Sequence, residues 1–358
     1  MRTAKPTIRR PQDIVDAGLS PAGRRADLER VAARYAVAIT PTLVDLIDPG
    51  DAGDPIARQF VPDPAELAAH ADDRADPIGD VSHTPVEGIV HRYPDRVLLK
   101  LVNLCAVYCR FCFRRETVGQ DGAGMLSAAA LRGALAYIRE RPQIWEVILT
   151  GGDPLVLSAR RLRAVMGELA AIAHVKIVRV HTRVPVAAPE RITAALVRAL
   201  KVDGKALYVA LHANHPRELT PSVRAACARL IDAGIPMLSQ SVLLAGVNDD
   251  AEVLGDLMRA LVETRIKPYY LHHADLAPGT AHLRTSIAQG QALMRALRGR
   301  VSGLCQPTYV LDVPGGYGKV PIGPCHLAHD GDRWRVEDVD GGRHDYPSAS
   351  EPDRSAPG

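Results

Sequence analysis

Three cysteines lie within eight residues of this chain, in the stretch CAVYCRFC, at C-x3-C-x2-C spacing. They are Cys105, Cys109 and Cys112, and no further cysteine or histidine stands at the paired spacing of a closed metal site. A structural zinc site needs four protein ligands. Three thiolates suit a cubane iron–sulfur cluster, in which one iron stays open to a small molecule. The alternative is a zinc site or a purely structural role.

A lysine follows the glycine-rich run PGGYG near the end of the chain. The run is not a P-loop, because Val313 stands where the first glycine would be and a valine follows Lys319. A lysine amine in such a loop can form an imine with a carbonyl cofactor such as pyridoxal phosphate (PLP), although most lysines are simply solvated. The stretch HRYPDRVLL offers Arg92, Tyr93 and Arg96, which could bind a phosphate or be surface charges.

Short β-rich segments alternate with helical segments along most of the chain. The predicted strands cover residues 97–103, 145–151, 175–182, 205–212, 235–244, 266–272 and 307–313. Segments with helical apolar spacing, such as PSVRAACARLIDAG, separate them. Six consecutive βα units predict an α/β protein with a parallel sheet, and the length of the chain allows a β/α barrel.

Polar or glycine residues stand at or just after the carboxyl ends of the predicted strands. They are Cys105, Gly151, Gly152, Asp153, Thr182, Arg183, His212, Gln240, Asp275 and Asp312. Any one of them could be a helix N-cap or an ordinary loop residue. The strand ends of a β/α barrel meet at one mouth, where active sites lie, so their recurrence in phase predicts a shared site. The glycines of GGD would let the backbone approach a polar ligand closely, or make a plain turn.

The composition excludes some classes of partner. The chain has 358 residues, 44 of them basic and 41 acidic, and the two signs are interspersed without a basic stripe that would bind nucleic acid. The sequence contains no run of about 18 apolar residues and no apolar signal segment. We therefore expect a cytoplasmic protein.

The other cysteines do not form a disulfide framework. Three of the six crowd into the stretch already described, which favours metal binding in a reducing compartment. Cys227 lies in a helical segment and is predicted to be a small buried residue. Cys305 and Cys325 have no informative spacing.

The pattern C-x3-C-x-aromatic-C after a first strand resembles that of the radical S-adenosylmethionine (SAM) enzymes. In that family a [4Fe-4S] cluster binds the methionine part of SAM at its open iron and cleaves SAM to a 5'-deoxyadenosyl radical. The resemblance implies a radical SAM partial (βα)6 barrel. It also assigns a set of residues to SAM binding, namely Phe111, Gly151, Gly152, Asp153, His212 and Gln240.

A longer series of motifs resembles the lysine 2,3-aminomutases, a PLP-dependent branch of the radical SAM enzymes. The motifs are HRYPDRVLL, CAVYCRFCFRR, GGDPL, HANHPRE, QSVLLAGVND, RIKPYYLHHADLAPGTAHLRT and DVPGGYGK, in the family's order over about residues 35–325. The resemblance implies that a radical removes a hydrogen atom from C3 of lysine, that the amino group moves from C2 to C3, and that β-lysine forms. An aminomutase for another amino acid is the alternative within enzymes.

The same resemblance carries roles onto matching positions. It implies that Cys105, Cys109 and Cys112 hold the cluster, that Lys319 forms the imine with PLP, and that Arg92, Tyr93 and Arg96 bind the PLP phosphate. It further implies that Arg114 pairs with the substrate carboxylate and that Asp275 and Asp312 hold the distant ε-ammonium.

The chain departs from the longer, clostridial-type members of the family. Those members carry a cysteine-rich zinc segment at the carboxyl end and a further cysteine after GVND. Here that position is Asp250 and the chain ends in SASEPDRSAPG, so we expect no structural zinc. The shorter form resembles the bacterial members that make β-lysine for translation elongation factor P. The resemblance also implies a flavodoxin or ferredoxin as reductant and allows a homo-oligomer.

We predict four regions. Residues 1–90 form a helical N-terminal region, 91–285 the radical SAM partial barrel, 286–330 a segment that carries the PLP lysine, and 331–358 a polar tail. The last dozen residues of the tail have the composition of a disordered segment.

Overall fold

The computed structural model describes residues 6–119, 124–330 and 333–347. Its main sheet has nine strands in chain order. They are Ile89–Tyr93 (β1), Arg96–Val102 (β2), Glu146–Gly151 (β3), Ile177–Thr182 (β4), Ala206–His212 (β5), Met237–Val242 (β6), Ile266–His272 (β7), Thr308–Val313 (β8) and Gly318–Pro321 (β9). Strands β2 to β8 are parallel, whereas β1 and β9 pair antiparallel to β2 and β8. The sheet is an open barrel.

The helices alternate with the parallel strands or lie in the N-terminal region. They are Pro11–Asp16 (α1), Arg25–Arg34 (α2), Pro41–Val44 (α3), Ala57–Phe60 (α4), Ala128–Arg139 (α5), Ala159–Ala170 (α6), Val184–Ala187 (α7), Ala194–Leu200 (α8), Pro221–Asp232 (α9), Ala251–Glu263 (α10) and Ile287–Leu297 (α11). Between successive parallel strands run α5, α6, α8, α9, α10 and α11, so the predicted partial (βα)6 barrel with a seventh strand is confirmed. In the described part of the chain, no helix has the length and apolar character of a membrane span.

A polar N-cap side chain begins each of these six barrel helices. The caps are Ser127, Ser158, Thr193, Thr220, Asp250 and Ser286, and each accepts a hydrogen bond from a backbone N–H of the first turn. Such caps satisfy N–H groups that have no partner within the helix. Asp250 stands where longer family members carry a cysteine, and here it caps α10 through Glu252 N and Val253 N at 2.9 and 3.1 Å.

One hydrophobic core joins the N-terminal region to the barrel. Ile14, Leu43 and Phe60 of the N-terminal region are fully buried in the same cluster as Val97 and Leu149 of the barrel strands. Cys227 of α9 is buried in that cluster, as its helical context predicts. The N-terminal region therefore covers the barrel from outside and contributes side chains to the site described below.

The carboxyl-terminal segment contains a second sheet that the sequence analysis does not anticipate. Strands Leu327–Asp330 (β10), Arg333–Glu337 (β11) and Arg343–Pro347 (β12) pair antiparallel. Apolar Trp334 and Val336 alternate with Arg333 and Arg335 in β11, a period-two pattern that the many charged residues obscure. The predicted disorder of the last dozen residues falls almost wholly on positions outside the described ones, and the four domain boundaries stay predictions.

Candidate active site

The three clustered cysteines lie in the loop that follows β2, and all of them are free and half-buried. Burial raises the pKa of Cys109 to about 11, and neighbouring Cys112 also contributes. Burial, Asp153 and the two other thiols raise the pKa of Cys105. No group of His, Cys, Asp or Glu in the described ranges could hold a single metal ion. Three half-buried thiols in one loop fit the ligand set of an iron–sulfur cluster, which would supply the positive charge that favours their thiolate form.

A buried ion-pair network holds the cysteine loop against the N-terminal region. Arg110 Nε donates to Glu66 Oε1 at 2.9 Å, and Arg115 also pairs with Glu66. Arg115 Nη1 donates to the carbonyl oxygens of Arg110 and Gly279 at 2.7 and 3.0 Å. Burial alone would raise the pKa of Glu66, but Arg110 and Arg115 outweigh it and lower that pKa. Glu66 has no signal in the sequence, because it lies far from the cysteines in the chain and belongs to no motif.

The GGD turn after β3 packs directly on the backbone of the cysteine loop. A Cβ atom on Gly152 would lie 2.3 Å from Leu104 O, and Gly151 has φ +113°, so both positions require glycine. The Asp153 carboxylate accepts hydrogen bonds from Thr182 Oγ1 at 2.7 Å and from Arg183 N at 2.6 Å. The Asp153 side chain therefore fixes the turn after β4. Its assignment to SAM stays a prediction.

Arg183 places a positive charge beside the cysteine loop. Its Nη2 donates to Gln59 Oε1 at 2.7 Å and pairs with Glu218, and its guanidinium lies 5.4 Å from the Phe111 ring centroid. Arg183 lowers the pKa of Cys109 against the larger effect of burial. A cation at this position favours the thiolate form that binds iron. From the sequence, Arg183 is predicted only to lie at the end of a strand.

His212 and Gln240 lie at the mouth of the barrel. His212 is the last residue of β5, and Gln240 lies beside it in β6. Burial, followed by Arg183, lowers the pKa of His212 to about 3, so the ring is neutral at physiological pH. The His181 ring lies 6.0 Å from the His212 ring, edge to face, and burial keeps His181 neutral by lowering its pKa. These neutral polar groups can donate to or accept from a bound ligand. SAM contact by His212, Gln240 and Phe111 stays a prediction.

Lys319 lies opposite Asp312 in the antiparallel pair β8–β9. Its Nζ forms an ion pair with Asp312 Oδ2 and lies 3.2 Å from His272 Nδ1. Burial and then Lys319 lower the pKa of His272, which is therefore a neutral acceptor. Burial opposes ionisation of Asp312, but His272 and Lys319 together hold its pKa below the usual range. His272 was missed by the sequence analysis.

The β1–β2 hairpin brings the predicted phosphate ligands to Lys319. Tyr93 OH accepts a hydrogen bond from Lys319 N at 2.7 Å, and the Arg96 guanidinium lies 3.8 Å from the Tyr93 ring centroid. Arg92 lies deeper, 3.5 Å from Asp312 and donating to Ile78 O. An amine beside a phenol and two guanidiniums fits the aldehyde and phosphate of PLP, although the phosphate roles stay predictions.

Close packing explains the many glycines before Lys319. Gly316 has φ +85°, and a Cβ atom there would lie 2.5 Å from His83 Cε1. A Cβ atom on Gly79 would in turn lie 2.6 Å from the Gly316 backbone. The glycine-rich loop thus lies against residues 79–83 of the N-terminal region, and this contact sets the start of β9.

Two acids and an arginine of the predicted substrate site lie around Lys319. Burial, and after it Asp312, raises the pKa of Asp275 to about 7, whereas Lys319 and Arg114 oppose the rise. Arg114 Nε donates to Asp80 Oδ2 at 2.8 Å, and Arg92 lies 3.5 Å from Asp80 Oδ1. The structure thus brings Arg114, Asp275 and Asp312 to one mouth. Asp80, which links the two arginines, was missed because it stands in a loop without a motif.

A cleft of about 1010 Å³ reaches the cysteine loop from outside. Its wall includes Thr40, Leu104, Cys105, Tyr108 and Arg191.

Two family models match the chain. One, described as the radical SAM superfamily, covers residues 99–258, which include the cysteine loop and β3 to β6. The other, described as lysine-2,3-aminomutase, covers residues 294–353, which include Lys319. The parallel barrel and the three-cysteine loop at its mouth are those of a radical SAM enzyme.

Curated relatives narrow the class. The L-lysine 2,3-aminomutase of Clostridium subterminale is 43% identical over 297 residues, which are 82% of this chain and 71% of that protein. The enzyme of the same name from Acetoanaerobium sticklandii is 44% identical over 291 residues, 81% of this chain and 70% of its own. The chain belongs to the lysine 2,3-aminomutase family. It is an isomerase that works with a [4Fe-4S] cluster, SAM and PLP.

A relative with another name limits what identity alone can say about the substrate. The glutamate 2,3-aminomutase of Clostridioides difficile is 39% identical over 304 residues, which are 85% of this chain and 71% of that protein. Overall similarity is thus comparable for the two names, and the substrate must be argued from the side chains at the mouth.

Proposed function

We propose that this protein converts L-α-lysine to β-lysine by moving the α-amino group from C2 to C3. The observation that supports the proposal is the carboxyl group of Asp275, which is unpaired among the described residues. Its carboxyl lies at the mouth without an ion-pair partner in the described part of the chain, and its pKa is about 7 because of burial and nearby Asp312. A cation bound there would stabilise the charged carboxylate. The ε-ammonium of lysine supplies that cation, whereas a glutamate side chain would add a third negative charge.

Asp312 has two successive partners in this proposal. Without a ligand, its carboxylate pairs with Lys319 Nζ. Lys319 would hold PLP through its amine, and the Asp312 carboxylate would then be available, together with Asp275, to pair with the ε-ammonium of a bound lysine.

His272 and Lys319 handle the proton of the imine-forming amine. The neutral His272 Nδ1 lies 3.2 Å from Lys319 Nζ and can take the proton that an ammonium must lose before it reacts with a carbonyl. When bound, SAM and the cluster would supply radical chemistry, and PLP on Lys319 would supply a carbonyl that reacts with the substrate amine. The remaining task of the chain is to hold the substrate and exclude water.

The test is an anaerobic assay of protein reconstituted with iron, sulfide, PLP and SAM and reduced by dithionite. L-lysine, L-glutamate and other amino acids are offered separately, and mass spectrometry after chiral derivatisation detects the β-amino acid. We expect β-lysine as the main product. A preference for glutamate would refute lysine as the substrate, and absence of a reducible cluster and of an imine absorption band would refute the whole assignment.

Several predictions from the resemblance concern the surroundings of the enzyme. We propose that a one-electron donor, a flavodoxin or ferredoxin, reduces the cluster through the cleft that reaches Cys105. Supply of β-lysine to elongation factor P, a homo-oligomeric state and a cytoplasmic location stay predictions.

A further inference from the structure

Lys100 places a positive charge on the inner face of the barrel. Along β2 the residues alternate between buried and partly exposed, and Val97, Leu99 and Leu101 belong to the buried core. Successive side chains of a strand point to opposite faces, so Lys100 lies on the other face, toward the barrel interior. Its backbone N–H donates to Gly88 O at 2.7 Å. Its Nζ forms no hydrogen bond or ion pair with the residues that the structure describes.

The electrostatic neighbours of Lys100 are the residues of the predicted carboxylate end. Burial and then Arg114 lower the pKa of Lys100, whereas Asp80 and Asp76 raise it. The carboxylate oxygens of Asp76 each accept a backbone N–H at 2.8 Å, from Asp80 and Val81. Asp76 is thus engaged by the loop that carries Asp80. An ammonium in this position, half-buried and without a contact partner, needs an anion.

The side chains around Lys100 and Arg114 have a net positive charge that one bound anion would neutralise. Arg114 Nε donates to Asp80 Oδ2 at 2.8 Å, and Arg92 lies 3.5 Å from Asp80 Oδ1. Together with Lys100 these arginines give three cations against the two carboxylates of Asp80 and Asp76, which leaves one net positive charge. Only Nε of Arg114 is engaged, and its terminal Nη groups make no hydrogen bond with the described residues. An ammonium and free guanidinium N–H groups that share a mouth suit the two oxygens of a carboxylate.

We propose that Lys100 and Arg114 together bind the α-carboxylate of an amino acid, with Asp80 orienting the Arg114 guanidinium. The proposal rests on the proposed function, which admits two sources of that carboxylate, the substrate and the methionine part of SAM. Lys100 is on this view a specificity-determining residue, because it makes a free α-carboxylate a condition for tight binding. A neutral carboxamide in the same place would leave the ammonium without its counter-charge.

The experiment uses reconstituted holoenzyme and three variants. Lys100→Met removes the charge at similar length, Lys100→Arg keeps the charge, and Lys176→Met removes an exposed lysine just before β4, at the opposite end of the barrel. L-lysine and L-lysinamide are titrated through the absorption change of the PLP imine. SAM is titrated through the electron paramagnetic resonance signal of the reduced cluster. PLP content and melting temperature are recorded for each variant.

We expect the wild type to bind lysine more tightly than lysinamide, and Lys100→Met to reduce that preference by about tenfold or more, the size of one charge-assisted contact. Lys100→Arg should keep most of the preference and Lys176→Met all of it. A weakened affinity for SAM with unchanged lysine binding would assign the same pair to the SAM carboxylate. Unchanged preference and unchanged SAM affinity in a folded Lys100→Met variant would overturn the proposal, as would a loss of PLP content, which would assign the ammonium to the cofactor phosphate.

An incorrect proposed function would give a different experimental result from an incorrect role for Lys100. If the wild type binds neither lysine nor lysinamide, lysine is the wrong substrate. The comparison is then repeated with the amino acid that does bind and with its amide, so that the role of Lys100 is tested whatever the side chain of the substrate is.

Discussion

Asp275 has a charge that no described residue neutralises by direct contact, and its pKa of about 7 makes it the group at the mouth that titrates in the physiological range. Burial is the first cause of the raised pKa, and Asp312 adds to it. A carboxylate in such surroundings gains most from a cation, which is why the residue connects electrostatics with the choice of substrate.

The pH dependence of lysine binding should follow Asp275. As the pH rises through about 7 the carboxyl ionises, so kcat/KM for lysine should increase across that range. The Asp275→Asn variant should lose this inflection, and its kcat/KM should fall by at least about a hundredfold, since loss of one partner of a buried pair costs on the order of 3–5 kcal/mol. Steady-state kinetics from pH 5.5 to about 8.5 check this, with Asp256→Asn as the exposed control. An unchanged profile would contradict a role for Asp275.

The same group should influence stability in the opposite sense. The pKa of Asp275 is raised from 3.8 to about 7, so the folded chain binds its proton more tightly than the unfolded chain. Its contribution to the free energy of unfolding therefore decreases as the pH rises between those values. In the ligand-free protein, Asp275→Asn should be less sensitive to this pH change than the wild type. Thermal melts at pH 5 and about 8 measure the difference.

At the scale of elements, the cysteine loop depends on a segment that precedes the barrel. Glu66 is completely buried, and two arginines of the loop, Arg110 and Arg115, share its carboxylate. The loop is thus fixed at positions between and just after the cysteines. A cluster needs its thiolates preorganised, because the loop would otherwise lose conformational entropy when it binds iron.

Glu66→Gln should leave two buried guanidiniums without a counter-charge. We expect the free energy of unfolding to fall by on the order of 3–5 kcal/mol and the iron content after reconstitution to fall with it. Glu29→Gln, which removes an exposed pair with Arg25, should change stability by at most about 1 kcal/mol. Urea denaturation and iron analysis measure both effects. Equal stability of the two variants would show that the network does not hold the loop.

The cap of α10 gives a test of the position where longer members carry a cysteine. Asp250→Ala should cost about 1 kcal/mol, because Glu252 N and Val253 N lose their acceptor. Asp250→Ser should recover most of that loss. Neither change should alter the PLP imine band, since α10 lies outside the barrel. Urea unfolding of the three proteins provides the comparison, and a destabilised Asp250→Ser variant would contradict the capping role.

At the scale of the whole molecule, the second sheet, β10 to β12, contributes none of the hydrogen-bond or ion-pair partners found for Lys319 in the described part of the chain. Its contacts include an exposed pair between Arg295 and Glu337 at 3.2 Å. The partners of Lys319, which are Tyr93, His272 and Asp312, all precede it. A chain that ends at residue 326 should therefore keep the PLP imine band and the reducible cluster. Absorption spectra and circular dichroism test this, and loss of the imine band would show that the sheet supports β9.

The sequence predicts the barrel well because local patterns determine it. Each of β2 to β7 is a short apolar run followed by a capped helix, and both signals are contained within a few residues. Strands β1 and β9 were missed because they are short, contain Pro, Gly or charged residues, and become strands only by pairing with β2 and β8. Their pairing is a tertiary contact rather than a local preference.

The site divides in the same way. Cysteines and the glycine-flanked Lys319 stand in motifs, whereas Glu66 and Asp80 act through partners 44 and 34 residues away in the chain. His272 had a local signal, since it ends β7 beside two tyrosines. Lys100 also had a local signal, because it is a charged residue at a strand position that faces the barrel interior. His272 lies within the motif RIKPYYLHHADLAPGTAHLRT but no role was assigned to it, and Lys100 lies outside the motifs. Only the structure brings His272 near Lys319 and Lys100 near Arg114.

The order of the main sheet has a consequence for biosynthesis. Each strand pairs with its neighbour in sequence, so the barrel can be assembled strand by strand while the chain leaves the ribosome. Strand β9, which carries Lys319, comes last. The three thiols of the cysteine loop are therefore in place on a nascent chain well before the amine of Lys319, the residue proposed to bind PLP, so binding of PLP would report that the main sheet is finished.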